Sequence, residues 1–173
     1  GVFGTLLVSS SALLAARSRP RIAAQIAVGS LGAILAELAL KRRFVRERPR
    51  ELERLAVVHG TSFPSGHSMA AACVYLTLAY VSSRSRSLRT ARRALLTGAG
   101  ALAFSVGASR VYLGVHWPTD ALGGLALGTA WASATESIFD WTAVASLSND
   151  PSRACASLSR PLSPTIKGTW KKP

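Results

Sequence analysis

Charged residues are absent from long stretches of the chain and crowded into short ones. Residues 1–16 contain no Lys, Arg, Asp or Glu, residues 22–40 contain only Glu37, and residues 55–83, 94–109 and 121–135 contain none. A water-soluble amphipathic helix shows charges every three or four residues along its outer face. Helices drawn from these stretches are apolar all round, and such a helix lies in a large core or in a bilayer. A chain of 173 residues cannot bury five of them in water. The 19 residues 22–40 reach roughly 28 Å as a helix, close to the roughly 30 Å thickness of the hydrocarbon layer. The pattern predicts spans at about 1–16, 22–40, 67–83, 94–111 and 119–138. Several are short and rich in Ala, Gly and Ser, which suits close helix–helix approach in a membrane. The expected fold is all-α, a polytopic membrane helical bundle occupying residues 1–139.

From residue 140 to 173 periodicity fades and Ser and Pro dominate, including Pro151, Pro161, Pro164 and Pro173. This part reads as a basic cytoplasmic tail, with Lys167, Lys171 and Lys172 placed to touch anionic lipid. A solvated tail without a role is the simpler reading. For residues 1–16 the alternative is the apolar stretch of a signal peptide, against which stands the absence of a basic amino-terminal region.

Charge sharpens the topology. The chain carries 21 Lys and Arg against 8 Asp and Glu, a net charge of +13. Fifteen basic residues fall in three clusters, Arg17–Arg21, Lys41–Arg54 and Arg84–Arg93. Cytoplasmic loops carry excess Lys and Arg. Placing Arg84–Arg93 inside puts residues 41–66 and 110–119 outside. The Lys41–Arg54 cluster then disobeys the rule, which suggests that it binds an anion. The whole-chain charge also raises a nucleic-acid binder, but the clusters alternate with membrane-length segments instead of lining one face. With two cysteines, Cys73 and Cys155, a disulfide scaffold is excluded, and a zinc site would lack histidines beside them.

Three short motifs share the outer side. In Phe63-Pro64-Ser65-Gly66-His67, Ser65 is a candidate N-cap for the following helix. Gly66 lets the backbone approach a ligand closely, and the N–H groups at this helix start form an anion site. In the second motif, Ser109 to Asp120, Pro118 marks a helix start and Asp120 falls in its first turn. His116 lies four residues before Asp120, which could accept a hydrogen bond from one ring nitrogen and leave the other free as nucleophile or base. Arg110 can reach the same mouth. The third motif is Lys41 with Arg48-Pro49, two cations suited to phosphate. Arg42, Arg43 and Arg46 read as added attraction for anions or as a solvated face. His59 reads as an ordinary loop histidine. Glu37, late in its span, reads as a hydrogen-bonding group of the bundle, though an ionisable residue there is also a functional candidate. Trp117 and Tyr112 read as interfacial aromatics.

Taken together, Lys41-x6-Arg48-Pro49, Pro64-Ser65-Gly66-His67 and Ser109-Arg110-x5-His116-x3-Asp120 resemble the three-part signature of the type 2 phosphatidic acid phosphatase family. The gaps fit as well, with 14 residues between Pro49 and Pro64 and 41 between His67 and Ser109. The resemblance spans roughly residues 22–139 and points to a bacterial member. It implies that His116 attacks phosphorus, that Asp120 supports it, and that His67 protonates the leaving group and then helps water hydrolyse a phosphohistidine. It implies phosphoryl oxygens held by Lys41, Arg48, Arg110, Ser65 and the Gly66 N–H. Fixed cations and helix N–H groups are what charge on the equatorial oxygens requires, and with three side-chain cations no metal or other cofactor is expected. The implied substrate is a lipid phosphate or prenyl pyrophosphate hydrolysed at the extracytoplasmic face of a bacterial inner membrane, with membrane lipids as the other partners. Transfer to another acceptor through the same intermediate, or a non-catalytic membrane protein, are the alternatives. Family members typically have six spans with Lys-x6-Arg-Pro after the third. Here it follows the second visible span, so an amino-terminal helix is expected to be missing from a five-span chain.

Overall fold

A computed structural model of the chain describes residue 10 and residues 19–49, 60–85 and 87–148, with side chains described as far as residue 142. The expected first span, His59 and the end of the tail lie outside the described residues. The chain divides into two units, residues 1–137 and 138–173, and the site lies in the first. No strand occurs among the described residues, which form four long helices: α1 (Pro20–Arg43), α2 (Gly66–Ser83), α3 (Arg92–Tyr112) and α4 (Pro118–Ser148).

Local sequence accounts for the ends. Helices α1 and α4 open on proline, whose absent N–H costs nothing in a first turn. Lys41, Arg42 and Arg43 fill the last turn of α1, where cations meet the negative end of the helix dipole. The hydroxyl of Ser65 caps α2 by accepting from the Ser68 N–H. After α3 the chain reverses at Gly114, whose φ of 67° is open to glycine at little cost. There Gly114 N donates to Val111 O at 2.9 Å. Helix α4 continues ten residues past the expected end at 138, since no Pro or Gly interrupts the chain from 139 to 148.

The bundle buries several polar groups beside a core of mostly small apolar residues and turns large apolar side chains outward. Gln25, Ser30, Thr77, Thr135 and Glu136 are buried, whereas Val28, Leu31, Leu35, Leu38, Leu102 and Phe104 are exposed. That arrangement suits lipid as solvent. Helices α1 and α3 are each long and apolar enough to cross a membrane. Helix α4 meets α2 through Gly124 and Gly128, a small-xxx-small pair of the kind that lets backbones touch in membranes. A Cβ at Gly124 would lie 2.5 Å from the Ser65 carbonyl oxygen, and one at Gly128 would collide with the Met69 carbonyl. The contact fixes the start of α2 against the start of α4, and Ser65 N donates to Asp120 O at 3.1 Å. The end of α1, the start of α2, the end of α3 and the start of α4 thereby meet at one end of the bundle.

Candidate active site

His116 stands in the turn before α4, only 5% exposed, and Asp120 in the first turn of α4 is fully buried. Arg48 reaches them from the irregular segment after α1. Its Nη1 donates to the Val115 carbonyl at 2.6 Å and lies 3.3 Å from His116 Nε2, while its Nε donates to Gly60 O at 3.0 Å. A guanidinium only donates, so Nε2 is the acceptor of that pair and the neutral ring carries its proton on Nδ1. The pKa of His116 is lowered to about 4, first by burial and then by the Arg48 charge, against the opposing pull of Asp120. The imidazole is therefore neutral at neutral pH, with a lone pair on Nε2.

The expected hydrogen bond between His116 and Asp120 is not formed. Nδ1 of His116 lies 3.7 Å from Asp120 Oδ2 and is without a hydrogen-bond partner. The carboxylate is committed elsewhere. Its Oδ2 accepts from the Trp117 N–H at 2.9 Å and from the Ser62 hydroxyl, and its Oδ1 accepts from Arg46 Nη1 at 2.8 Å. Asp120 thus faces the proton-bearing nitrogen as a fixed charge. Arg46 also donates to Thr119 Oγ1 at 2.7 Å and sits 5.7 Å from the centre of the Trp117 ring. Arg46 and Ser62 were not singled out as site residues by sequence reasoning. A signal existed for Arg46: Arg48-Pro49 disfavours helix, and in an extended segment residues i and i+2 share a face, so Arg46 accompanies Arg48.

His67 is exposed in the first turn of α2. Among the described residues the charges bearing on it are Arg110 foremost, then Glu37 and Lys41. The Lys41 charge also bears on His116. Its Nζ is paired with Glu37 Oε1 at 2.5 Å. Arg110 ends α3, its Nε donating to Ser109 Oγ at 3.3 Å. Ser65 is fully buried, and its hydroxyl accepts from Ser68 Oγ at 2.9 Å as well as from the Ser68 N–H. Its side chain therefore builds the helix start beneath the site. The structure gathers His67, His116, Asp120, Lys41, Arg48 and Arg110 at one end of the bundle, with the Glu37 carboxylate against the Gly66 backbone. Among the described residues no three His, Cys, Asp or Glu side chains cluster as a metal would need.

Comparison with known proteins follows the same lines. The PAP2 superfamily matches residues 3–142 of the chain. Phosphatidylglycerophosphatase B of Bacillus subtilis (strain 168) is 47% identical over 90 residues, which are 51% of this chain and 44% of that protein. The chain thus spans less than half the length of this relative. The crystal structure of a transmembrane PAP2 type phosphatidylglycerolphosphate phosphatase from Bacillus subtilis matches with a TM-score of 0.70 at 33% identity. The match covers 79% of this chain and 70% of that one.

Proposed function

For a chain that belongs to the PAP2 superfamily, we propose hydrolysis of a lipid phosphate, of the phosphatidylglycerophosphate kind that its relatives' names carry, through a phosphohistidine on His116. The observation behind this reading is the neutral, buried His116 with Nε2 turned to the Arg48 guanidinium and Nδ1 turned to the Asp120 carboxylate.

The steps use side chains already in place. The Nε2 lone pair attacks phosphorus, the P–N bond forms and the P–O bond to the leaving alcohol breaks. Positive charge then grows on the ring, and Asp120, facing the Nδ1 proton, offsets it. His67 gives its proton to the departing oxygen. Water next attacks phosphorus and gives a proton to the now neutral His67, the P–N bond breaks and inorganic phosphate is released. Lys41, Arg48, Arg110 and the Gly66 N–H hold the equatorial oxygens, the place where preorganised positive charge lowers the barrier. These cations supply the charge a metal would otherwise bring, so turnover needs none. The acyl chains remain in the bilayer beside the apolar helix faces. With the arginine-rich α2–α3 loop inside, the site opens on the extracytoplasmic side of a bacterial inner membrane. Residues 1–139 form the phosphatase domain, and residues 140–173, which begin with the last turns of α4, its basic tail.

The test is phosphate release from phosphatidylglycerophosphate, phosphatidate and a prenyl pyrophosphate in detergent with excess EDTA, by wild type and His116→Ala. Wild type releases phosphate and the variant does not. Release by the variant, or loss of wild-type turnover in EDTA, would remove the histidine or the metal-independent part of the mechanism respectively. Turnover by wild type only when an acceptor alcohol is supplied would mark a phosphotransferase.

A further inference from the structure

The phosphate cradle already contains an anion. Glu37 sits one turn before Lys41 on α1, its Oε1 2.5 Å from Lys41 Nζ. The same carboxylate lies against the backbone of Gly66, closely enough that a Cβ there would collide with both of its oxygens. Lys41 and the Gly66 backbone are two of the groups that a substrate phosphoryl group needs. Side chains of the pair are 22% exposed for Glu37 and 27% for Lys41, so the ion pair is partly withdrawn from water and less screened than a surface pair. The charges of this pair and of Arg110 from α3 all bear on His67 of α2. No role in phosphate binding or turnover given to other residues above calls on Glu37.

We propose that Glu37 is a specificity-determining residue: its carboxylate is an internal counter-anion that a substrate phosphoryl group displaces from Lys41, and beside the bound group it penalises a second phosphate. The inference rests on the phosphatase reading and narrows it to monoesters. The charge balance supports it. Lys41, Arg48 and Arg110 bring three positive charges, and Glu37 removes one of them, while Asp120 is balanced by Arg46 at 2.8 Å. The remaining two match a phosphate monoester dianion. A diphosphate ester carries more charge and extends it past the reacting phosphorus. Glu37 is held on α1 by its helical backbone and cannot leave the neighbourhood, so the additional charge meets a carboxylate.

The experiment measures binding and turnover on the same purified full chain in detergent. Calorimetric titration with inorganic phosphate and with inorganic pyrophosphate is run on wild type, Glu37→Gln and Glu37→Ala, beside hydrolysis of a lipid monophosphate by wild type. Loss of one like charge at this range tightens phosphate by about tenfold, and pyrophosphate by a larger factor, in both variants. If wild type hydrolyses the lipid but phosphate binding weakens or stays unchanged in the variants, Glu37 serves only to hold Lys41 and the inference is overturned while the phosphatase reading stands. Equal tightening of phosphate and pyrophosphate would overturn the discrimination. If wild type neither hydrolyses lipid phosphate nor binds phosphate, the phosphatase reading itself falls.

Discussion

The two ends of this bundle are built from the same residue types and do different things. At the end away from the site, Gln25, Arg84 and Glu136 close on one another. Gln25 Nε2 donates to Glu136 Oε2 at 2.6 Å, Arg84 Nη1 donates to Gln25 Oε1 at 3.1 Å, and Arg84 Nη2 meets Glu136 Oε2 at 3.0 Å. One cation answers one carboxylate, and the amide satisfies both. The cluster ties α1, the end of α2 and α4 together. At the other end, cations outnumber carboxylates, and a buried histidine keeps one ring nitrogen without a hydrogen-bond partner. A saturated network holds helices together. A network with surplus positive charge is kept ready for a ligand that brings the missing negative charge. The first is structure for its own sake, and the second stores its imbalance for turnover.

This contrast predicts that equal truncations give unequal symptoms. Arg46→Ala at the site end removes one of three donors to Asp120 and leaves a buried carboxylate partly unpaired. The carboxylate no longer keeps its place opposite Nδ1, and kcat falls by about 100-fold, equivalent to about 2.7 kcal/mol, with KM little changed because Arg46 does not hold phosphate. Arg46→Lys recovers part of the rate. An unchanged kcat in Arg46→Ala would show Asp120 to be fixed by Ser62 and the Trp117 N–H alone.

Glu136→Ala at the opposite end gives the converse. It leaves the buried Gln25 amide without its acceptor and costs about 2 kcal/mol of stability, read as a lower midpoint in SDS-induced unfolding. Turnover per folded molecule at low temperature stays as in wild type, since nothing near the phosphate has moved. A fall in kcat without a fall in the midpoint would reverse the roles assigned to the two ends.

The contrast also separates what could be read from sequence from what could not. Helices α1 to α3 were legible because a membrane helix announces itself by lacking charge over its whole length. The site residues His67, His116, Arg48 and Arg110 were legible because fixed spacing placed them at helix ends on one side. Partners were not. Glu136 stands just past the charge-free stretch 121–135, and nothing in the sequence marks it as a buried group paired with Arg84, 52 positions earlier in the numbering. Gln25 carries no charge and left no mark. Arg46 was hidden among six other basic residues of its cluster. Spacing tells which residues lie along one helix or strand, whereas these pairs are fixed by how separate helices pack, which one-dimensional pattern does not carry. The His116–Asp120 spacing illustrates the limit: proximity was inferred correctly, but competition from Ser62, Trp117 and Arg46 for the same carboxylate was invisible.

The smallest effect expected is thermodynamic and isolates His116. Its pKa is held down to about 4 in the folded protein, against about 6.5 for an unperturbed histidine. Between those values the unfolded chain binds a proton that the native chain does not, so this residue's contribution to stability falls as pH falls through the window. Above 6.5 it is constant. His116→Ala lacks the titration, and other groups cancel when the two proteins are compared. Lowering the pH from 6.5 to 5.5 therefore costs wild type about 1 kcal/mol more than the variant, measured by SDS unfolding at both pH values. If the two lose stability in parallel, the folded pKa of His116 is near its ordinary value. The neutral nucleophile would then depend on the pH of the surroundings, not on burial and Arg48. If they diverge as expected, burial and the Arg48 charge together keep the attacking lone pair unprotonated.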